Sequence, residues 1–290
     1  MQTGRKHVMK NKCTNGKFMK TKSGKNTTVL VTGASSGIGK ACAEIFAKRG
    51  YAVTGVSRHC KEGVKRYRGG GSITMARLDV TDEEAVFDFV KEAGGFDIAV
   101  LAAGMGVAGA VEDVPTSLVR QQMEINYFGV LNASRALLPW MRRKKDGFIC
   151  IVGSFGGKVS IPMQAHYSAT KYALEALSDA MRMECEPYGV RVSIIEPGDT
   201  RTGFTRNRRL YMKDGSVYND TVRHAVGIMS HDEKNGDSPM LSARQVYRMS
   251  QMPNPPARVV IGWKYKLLWQ AVKFMPDALR EKIIKGLYLG

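Results

Sequence analysis

Ser154, Tyr167 and Lys171 bring a hydroxyl, a phenol and an ammonium to where one carbonyl could meet all three. Tyr167 and Lys171 are four positions apart, which places them on the same face of a helix. Ser154 follows Phe148-Ile149-Cys150-Ile151-Val152, a short apolar run that reads as a buried strand. A phenol can pass a proton to or from an oxygen, and a neighbouring ammonium favours the phenolate. A Tyr-x-x-x-Lys pair occurs in many helices, so the elements around it decide its meaning.

From Thr27 onward, β-rich runs alternate with helical patterns. Strands are predicted at Thr28–Val31, Ala52–Val56, Ile73–Leu78, Ile98–Leu101, the run before Ser154, and Arg191–Ile195. Helices are predicted at Lys40–Arg49, Glu83–Glu92, Ser117–Arg142 and Tyr167–Tyr188. Repeated strand–helix–strand units require right-handed crossovers and a parallel sheet covered on both faces. No internal repeat or long linker interrupts them, so one α/β domain is expected over 27–290. A strand end facing a helix face is a usual way to form a site in such a sheet.

The chain has 290 residues, 43% hydrophobic and 24% charged, an ordinary globular mixture. No apolar run approaches the ~20 residues of a membrane-spanning helix. Cys13, Cys42, Cys60, Cys150 and Cys185 are scattered and odd in number, which points to neither a disulfide framework nor a metal site. A reducing cytoplasm is the expected compartment. The net charge of +18 is concentrated at the start: Arg5, Lys6, Lys10, Lys12, Lys17, Lys20, Lys22 and Lys25 occur without an acid among them. Residues 1–26 therefore read as a disordered basic tail, with Met9 and Met19 as alternative starts. Charge alone gives no specific nucleic-acid recognition.

Between the first strand and first helix lies Thr32-Gly33-Ala34-Ser35-Ser36-Gly37-Ile38-Gly39. Glycines here permit a tight turn and let backbone N–H groups approach a diphosphate at the helix N-terminus. With this turn come Asp79 after the third strand, Ala103-Gly104 after the fourth, Asn126 in the long helix, the Ser154/Tyr167/Lys171 set, and Pro197-Gly198 followed by Thr202. In that order and spacing the chain resembles the short-chain dehydrogenase/reductase family, well over residues 28–203 and weakly beyond. The resemblance implies a Rossmann-type, doubly wound sheet of seven parallel strands. It also implies an oxidoreductase that interconverts a secondary alcohol and a ketone with a nicotinamide cofactor.

The resemblance assigns cofactor contacts to Gly33, Ser35, Ser36, Gly37, Ile38, Gly39, Asp79, Val80, Ala103, Gly104, Tyr167, Lys171, Pro197, Gly198, Thr200 and Thr202. The second strand ends Val56-Ser57-Arg58-His59, with no acid to hold a ribose 2′-hydroxyl. Arg58 could pair with a 2′-phosphate, so NADP(H) is expected over NAD(H); the alternative is a merely solvated guanidinium. Tyr167 is expected as the acid–base group, with Lys171 and the oxidised nicotinamide lowering its pKa. Ser154 would hold the substrate oxygen, and Asn126 would bind a water relaying protons from Lys171. Similar proteins carry Asn-Asn-Ala-Gly where this chain has Leu101-Ala102-Ala103-Gly104.

The stretches Ala103–Ala110 and Glu196–Thr202 are similar to hydroxysteroid and retinol dehydrogenases, implying a bulky lipophilic substrate. Smaller aldehydes and ketones, acyl-chain intermediates, and a cofactor-sensing protein without turnover are the alternatives. A variable substrate loop is expected at about 203–240. Within it Arg201, Arg206, Arg208 and Arg209 form either an anion grip or a solvated face. Residues 264–289 form two amphipathic pieces split at Pro276. Their apolar stripes are expected to pack over the pocket or a partner subunit, or to touch an anionic membrane weakly. A homodimer or homotetramer is expected by resemblance.

Overall fold

The computed structural model describes residues 27–289, so the expectations for the tail at 1–26 fall outside the described residues. The chain runs through β1 (Thr28–Thr32), α1 (Gly37–Lys48), β2 (Ala52–Ser57), β3 (Gly63–Arg66) and β4 (Ser72–Arg77). Next come α2 (Glu83–Glu92), β5 (Ile98–Leu101), β6 (Val107–Ala108), α3 (Thr116–Met123) and α4 (Gly129–Lys144). The Ser154–Lys171 segment lies within β7 (Gly147–Val152), α5 (Ala165–Cys185) and the loop between them, before β8 (Val190–Pro197). The remainder is α6 (Phe204–Asn207), β9 (Arg209–Leu210), α7 (Asn219–Lys234), α8 (Pro239–Ser250), β10 (Arg258–Ile261), α9 (Trp263–Phe274) and α10 (Asp277–Tyr288).

Among the described residues the main sheet has eight strands, in the order β10-β8-β7-β5-β1-β2-β4-β3. All but β3 are parallel; β3 pairs antiparallel with β4, Val64 opposite Thr74. The Rossmann-type sheet is therefore as expected, with one added edge strand. That strand is wholly exposed and carries Lys65 and Arg66, charges that discourage pairing with another chain. Successive residues of the central strands serve opposite faces. Leu30, Leu101, Ile149 and Ile151 pack with Leu137 and Leu174 from α4 and α5. Val29, Val31, Val100 and Cys150 pack with Phe46 and Met249 from α1 and α8.

From β1 the chain winds outward to β2 and β4, then returns to β5 on the other side of β1. That reversal opens a crevice at the carboxyl ends of β1 and β5. Thr32 Oγ1 closes its base by accepting hydrogen bonds from Ala102 N at 3.0 Å and Ala103 N at 3.1 Å. The helix expected over Ser117–Arg142 is divided by a π-helical turn at Glu124–Phe128. The wider turn lies between α3 and α4, and within it Ile125 and Asn126 are buried.

A buried ion cluster joins the elements behind the crevice. Lys158 Nζ, in the loop after β7, lies 2.7 Å from Glu175 Oε2 on α5 and 2.9 Å from Glu196 Oε1 on β8. Burial, followed by the charge of Glu175, pushes the Glu196 carboxyl up to about 7. An acid whose pKa is raised by folding holds its proton more tightly in the folded chain. Its favourable contribution is present at low pH and is lost as pH rises from about 4.5 towards 7. Glu196→Gln should therefore gain on wild type across that window, by on the order of 2 kcal/mol. Thermal melts of both proteins from pH 5 to about 8 check this; a pH-independent difference would contradict it.

Candidate active site

The crevice is a cavity of about 810 Å³. Its phosphate end is formed by the turn from β1 into α1. Gly33 and Gly37 have φ of +65° and +54°, a region that favours glycine. A Cβ on Gly39 would collide with the Gly33 carbonyl oxygen. The first turn of α1 contains no acid, so the helix N-terminus presents its positive end to the cavity. These features fit an anionic diphosphate. Thr202 closes over the turn, so that a Cβ on Gly37 would lie 3.3 Å from Thr202 Cβ.

Arg58 NH1 lies 3.9 Å from Asp79 Oδ2, with the two side chains 42% and 41% exposed. So loose and wet a pair is weak, and Arg58 lines the cavity. Asp79 does not line it. Its Oδ1 accepts from Thr81 N at 3.0 Å and Thr81 Oγ1 at 2.9 Å, which shapes the turn beside Val80. Ser35, Ser36, Ile38, Val80, Ala103, Gly104, Pro197, Gly198 and Thr200 all line the cavity.

Ser154, Tyr167 and Lys171 also meet in this cavity. Gly156 N–H donates to Ser154 Oγ at 3.0 Å, and the Ser154 hydroxyl faces the same cavity as the Tyr167 phenol. Lys171 Nζ donates to the Val152 carbonyl at 3.0 Å and sits 5.6 Å from the Tyr167 ring centre. Burial pushes the Tyr167 phenol up to about 12, against the smaller lowering effect of Ser154. Burial also brings Lys171 down to about 8, against the charge of Glu175. The protein's own groups therefore keep Tyr167 protonated. The lowering expected from Lys171 is not among the influences on the phenol: Ser154 and Arg208 lower it, and desolvation outweighs them.

Asn126 is fully buried and does not line the cavity. It accepts from Met105 N at 2.8 Å and donates to Met105 O and Thr170 Oγ1, each at 3.0 Å. Thr170 in turn donates to the Tyr167 carbonyl at 2.8 Å, so Asn126 ties the loop after β5 to the helical turn that carries Tyr167.

The region expected as a substrate loop is instead largely α6, β9 and α7, with β9 paired to β6. Phe204 lies 5.5 Å from Tyr167, ring centre to ring centre, and lines the cavity. The arginine cluster divides. Arg208 is buried and paired with Glu233, Arg209 bonds Gln121 at 2.6 Å, and Arg206 is exposed. Tyr265 on α9 stacks edge-on to Phe155 at 5.2 Å and donates to the Asp199 carboxylate. Its ring occupies the space that a Cβ on Gly198 would fill. Leu268 and Val272 of α9, Met275 just after it, and Ile283, Ile284 and Leu287 of α10 also line the cavity. Phe204 falls within the expected substrate segment at 203–240, whereas sequence patterns gave no sign that Tyr265 would reach the site.

Residues 27–212 match the family model described as short chain dehydrogenase. The 3-ketodihydrosphingosine reductase of Bacteroides thetaiotaomicron is 34% identical over 267 residues, covering 90% of this chain and 97% of that protein. Dehydrogenase/reductase SDR family member 7B of Xenopus laevis is 33% identical over 234 residues, covering 76% of this chain and 69% of that protein. A crystal structure of a short-chain dehydrogenase from Streptomyces avermitilis superposes with a TM-score of 0.75 at 28% identity, covering 91% of this chain and 97% of that one. With its crevice at the strand reversal, its open helix N-terminus and its Ser154/Tyr167/Lys171 cluster, the chain belongs to the short-chain dehydrogenase/reductase family of nicotinamide-dependent oxidoreductases.

Proposed function

We propose that the protein is an NADP(H)-dependent reductase that converts a bulky lipophilic ketone to a secondary alcohol. The observation that carries this reading is that Ser154, Tyr167 and Lys171 line the same cavity as the phosphate turn, with the Tyr167 phenol raised above its ordinary value by desolvation. A neutral phenol is the acid that ketone reduction needs. When bound, the nicotinamide supplies or accepts the hydride. Tyr167 gives its proton to the ketone oxygen, and in reverse takes one from the alcohol. Ser154 donates a hydrogen bond to that oxygen as charge develops on it. Lys171 holds the nicotinamide ribose and returns the phenol to its protonated form. Asn126 fixes the backbone beside Tyr167, and the relay water implied by family resemblance would complete the path from Lys171.

Arg58 at the end of β2 is the residue for a 2′-phosphate, there being no acid at that strand end to repel one. On the substrate side, a long aliphatic chain is favoured over a compact hydroxysteroid-like ring. The apolar residues of α9 and α10 line the same cavity as Tyr167, and the Bacteroides relative bears the name 3-ketodihydrosphingosine reductase. A homodimer through the surface of α4 and α5 belongs to the same reading, supported by the exposed Phe128, Tyr172 and Met183. So does weak peripheral contact of residues 264–289 with a membrane, since no helix among the described residues is long and apolar enough to cross one. A cytoplasmic setting is supported by Cys42, Cys60, Cys150 and Cys185, which are buried free thiols.

Three measurements test the assignment. Tyr167→Phe should lower ketone turnover by about 10²–10⁴-fold while NADPH binding stays within about twofold of wild type; substantial retained turnover would contradict the role of the phenol. A panel of long-chain 3-ketones, ketosteroids and short ketones, followed by NADPH absorbance, separates the substrate classes. Arg58→Ala should weaken NADPH binding by about tenfold and leave NADH binding unchanged. Equal losses for the two cofactors, or tighter NADH binding by wild type, would contradict the NADP(H) assignment.

A further inference from the structure

The stripe Leu267, Leu268, Ala271, Val272 and Met275 is split by the fold. Leu268, Val272 and Met275 line the cavity, while Leu267 is 64% exposed. Trp263, at 68%, and Phe274, at 85%, lie four residues before Leu267 and seven after it, so all three form one outward stripe along α9. A soluble surface rarely groups a tryptophan, a leucine and a phenylalanine on one helical face. On α10, Ile283 and Leu287 both line the cavity and are exposed, at 43% and 57%. The apolar cavity therefore has an apolar mouth beside α10, next to the outward stripe.

Charge identifies what meets this surface. Lys264, Lys266, Lys273, Arg280, Lys282 and Lys285 are set among the apolar residues, against only Asp277 and Glu281 of opposite sign. Cations flanking a tryptophan and aliphatic residues match an anionic lipid surface, with the apolar stripe in the acyl boundary and the ammonium groups among the headgroups. At its inner end α9 is anchored to the active site through Tyr265, which bonds Asp199 and packs on Phe155.

We propose that α9 and α10 form a docking face for an anionic bilayer and hold the mouth of the cavity at its surface, so that an aliphatic chain enters directly from lipid. The docking itself needs only the geometry and charge of α9 and α10; the entry of substrate rests on the function proposed above. A second copy of this chain and a protein partner are the other possible occupants of this face.

The test uses the full chain without substrate, in sedimentation with vesicles of phosphatidylcholine containing phosphatidylglycerol and with vesicles of phosphatidylcholine alone. Wild type should partition onto the anionic vesicles. Trp263→Ala/Phe274→Ala and, separately, Lys264→Glu/Lys266→Glu should each lower partitioning by roughly tenfold or more. None of the four residues lines the cavity, so both variants should keep wild-type NADPH binding and turnover of a short soluble ketone. Trp263 emission should shift to the blue on anionic vesicles, and Trp263→Phe should abolish that shift. No partitioning by wild type, or partitioning by both double variants at the wild-type level, would overturn the docking face. Dimers that Trp263→Ala/Phe274→Ala dissociates, without vesicle binding by wild type, would also overturn it and assign the face to a second copy. A protein that docks but leaves long-chain ketones unreduced would retain the docking face and contradict the function instead.

Discussion

Tyr167 and Lys171 share one turn of helix α5 on the wall of the cavity, Lys171 buried and Tyr167 half-buried, and the rest of the site follows from that arrangement. Exclusion of water penalises both the phenolate and the ammonium. It moves the phenol up to about 12 and the ammonium down to about 8. The pair is thus held ready to give a proton. Lys171 remains largely protonated near neutrality, close enough to restore the phenol after each transfer. The Ser154 oxygen is held by the Gly156 N–H and lines the same cavity as the Tyr167 phenol, so a ketone oxygen there would meet two polar groups.

Holding such groups in place requires rigid support, and it comes from buried polar links. Asn126 and Thr170 connect the π-helical turn to the Tyr167 backbone. Lys158 connects the loop behind Ser154 to α5 and β8 through Glu175 and Glu196. Thr32 fixes the two strand ends that frame the cofactor crevice. Above these, Tyr265 rests on Gly198, so the C-terminal helices are joined to the catalytic end while their other side faces outward. Chemistry at one end of the cavity and apolar access at the other are parts of one continuous structure.

Much of this was legible in the sequence because local patterns dictated it. Alternating apolar runs and helical periods specified the parallel sheet, and the spacing of Gly33, Gly37 and Gly39 specified the phosphate turn. The spacing of Ser154, Tyr167 and Lys171 placed three groups on facing elements. What escaped were effects that depend on tertiary context. A π-helical turn has no periodic signature, so Asn126 seemed to sit in an unbroken helix. Asp79, expected as a cofactor contact, also shapes the local turn by accepting from Thr81, which no spacing encodes. Arg208 looked like one of a solvated run, yet Glu233 from α7 draws it into the interior. Phe204 and Tyr265 reach the site through long-range packing, which no local motif encodes. The stripe on α9 gave the apolar positions but not which of them face the cavity and which face outward.

The central claim is that burial keeps the Tyr167 phenol protonated until the bound cofactor favours its ionisation. Ultraviolet difference absorbance in the phenolate band, wild type minus Tyr167→Phe, reads that group alone during an alkaline titration. The free protein should show no Tyr167 phenolate below about pH 10, and oxidised cofactor should bring the signal to lower pH. A Tyr167 phenolate already present near neutral pH in the free protein would contradict the account.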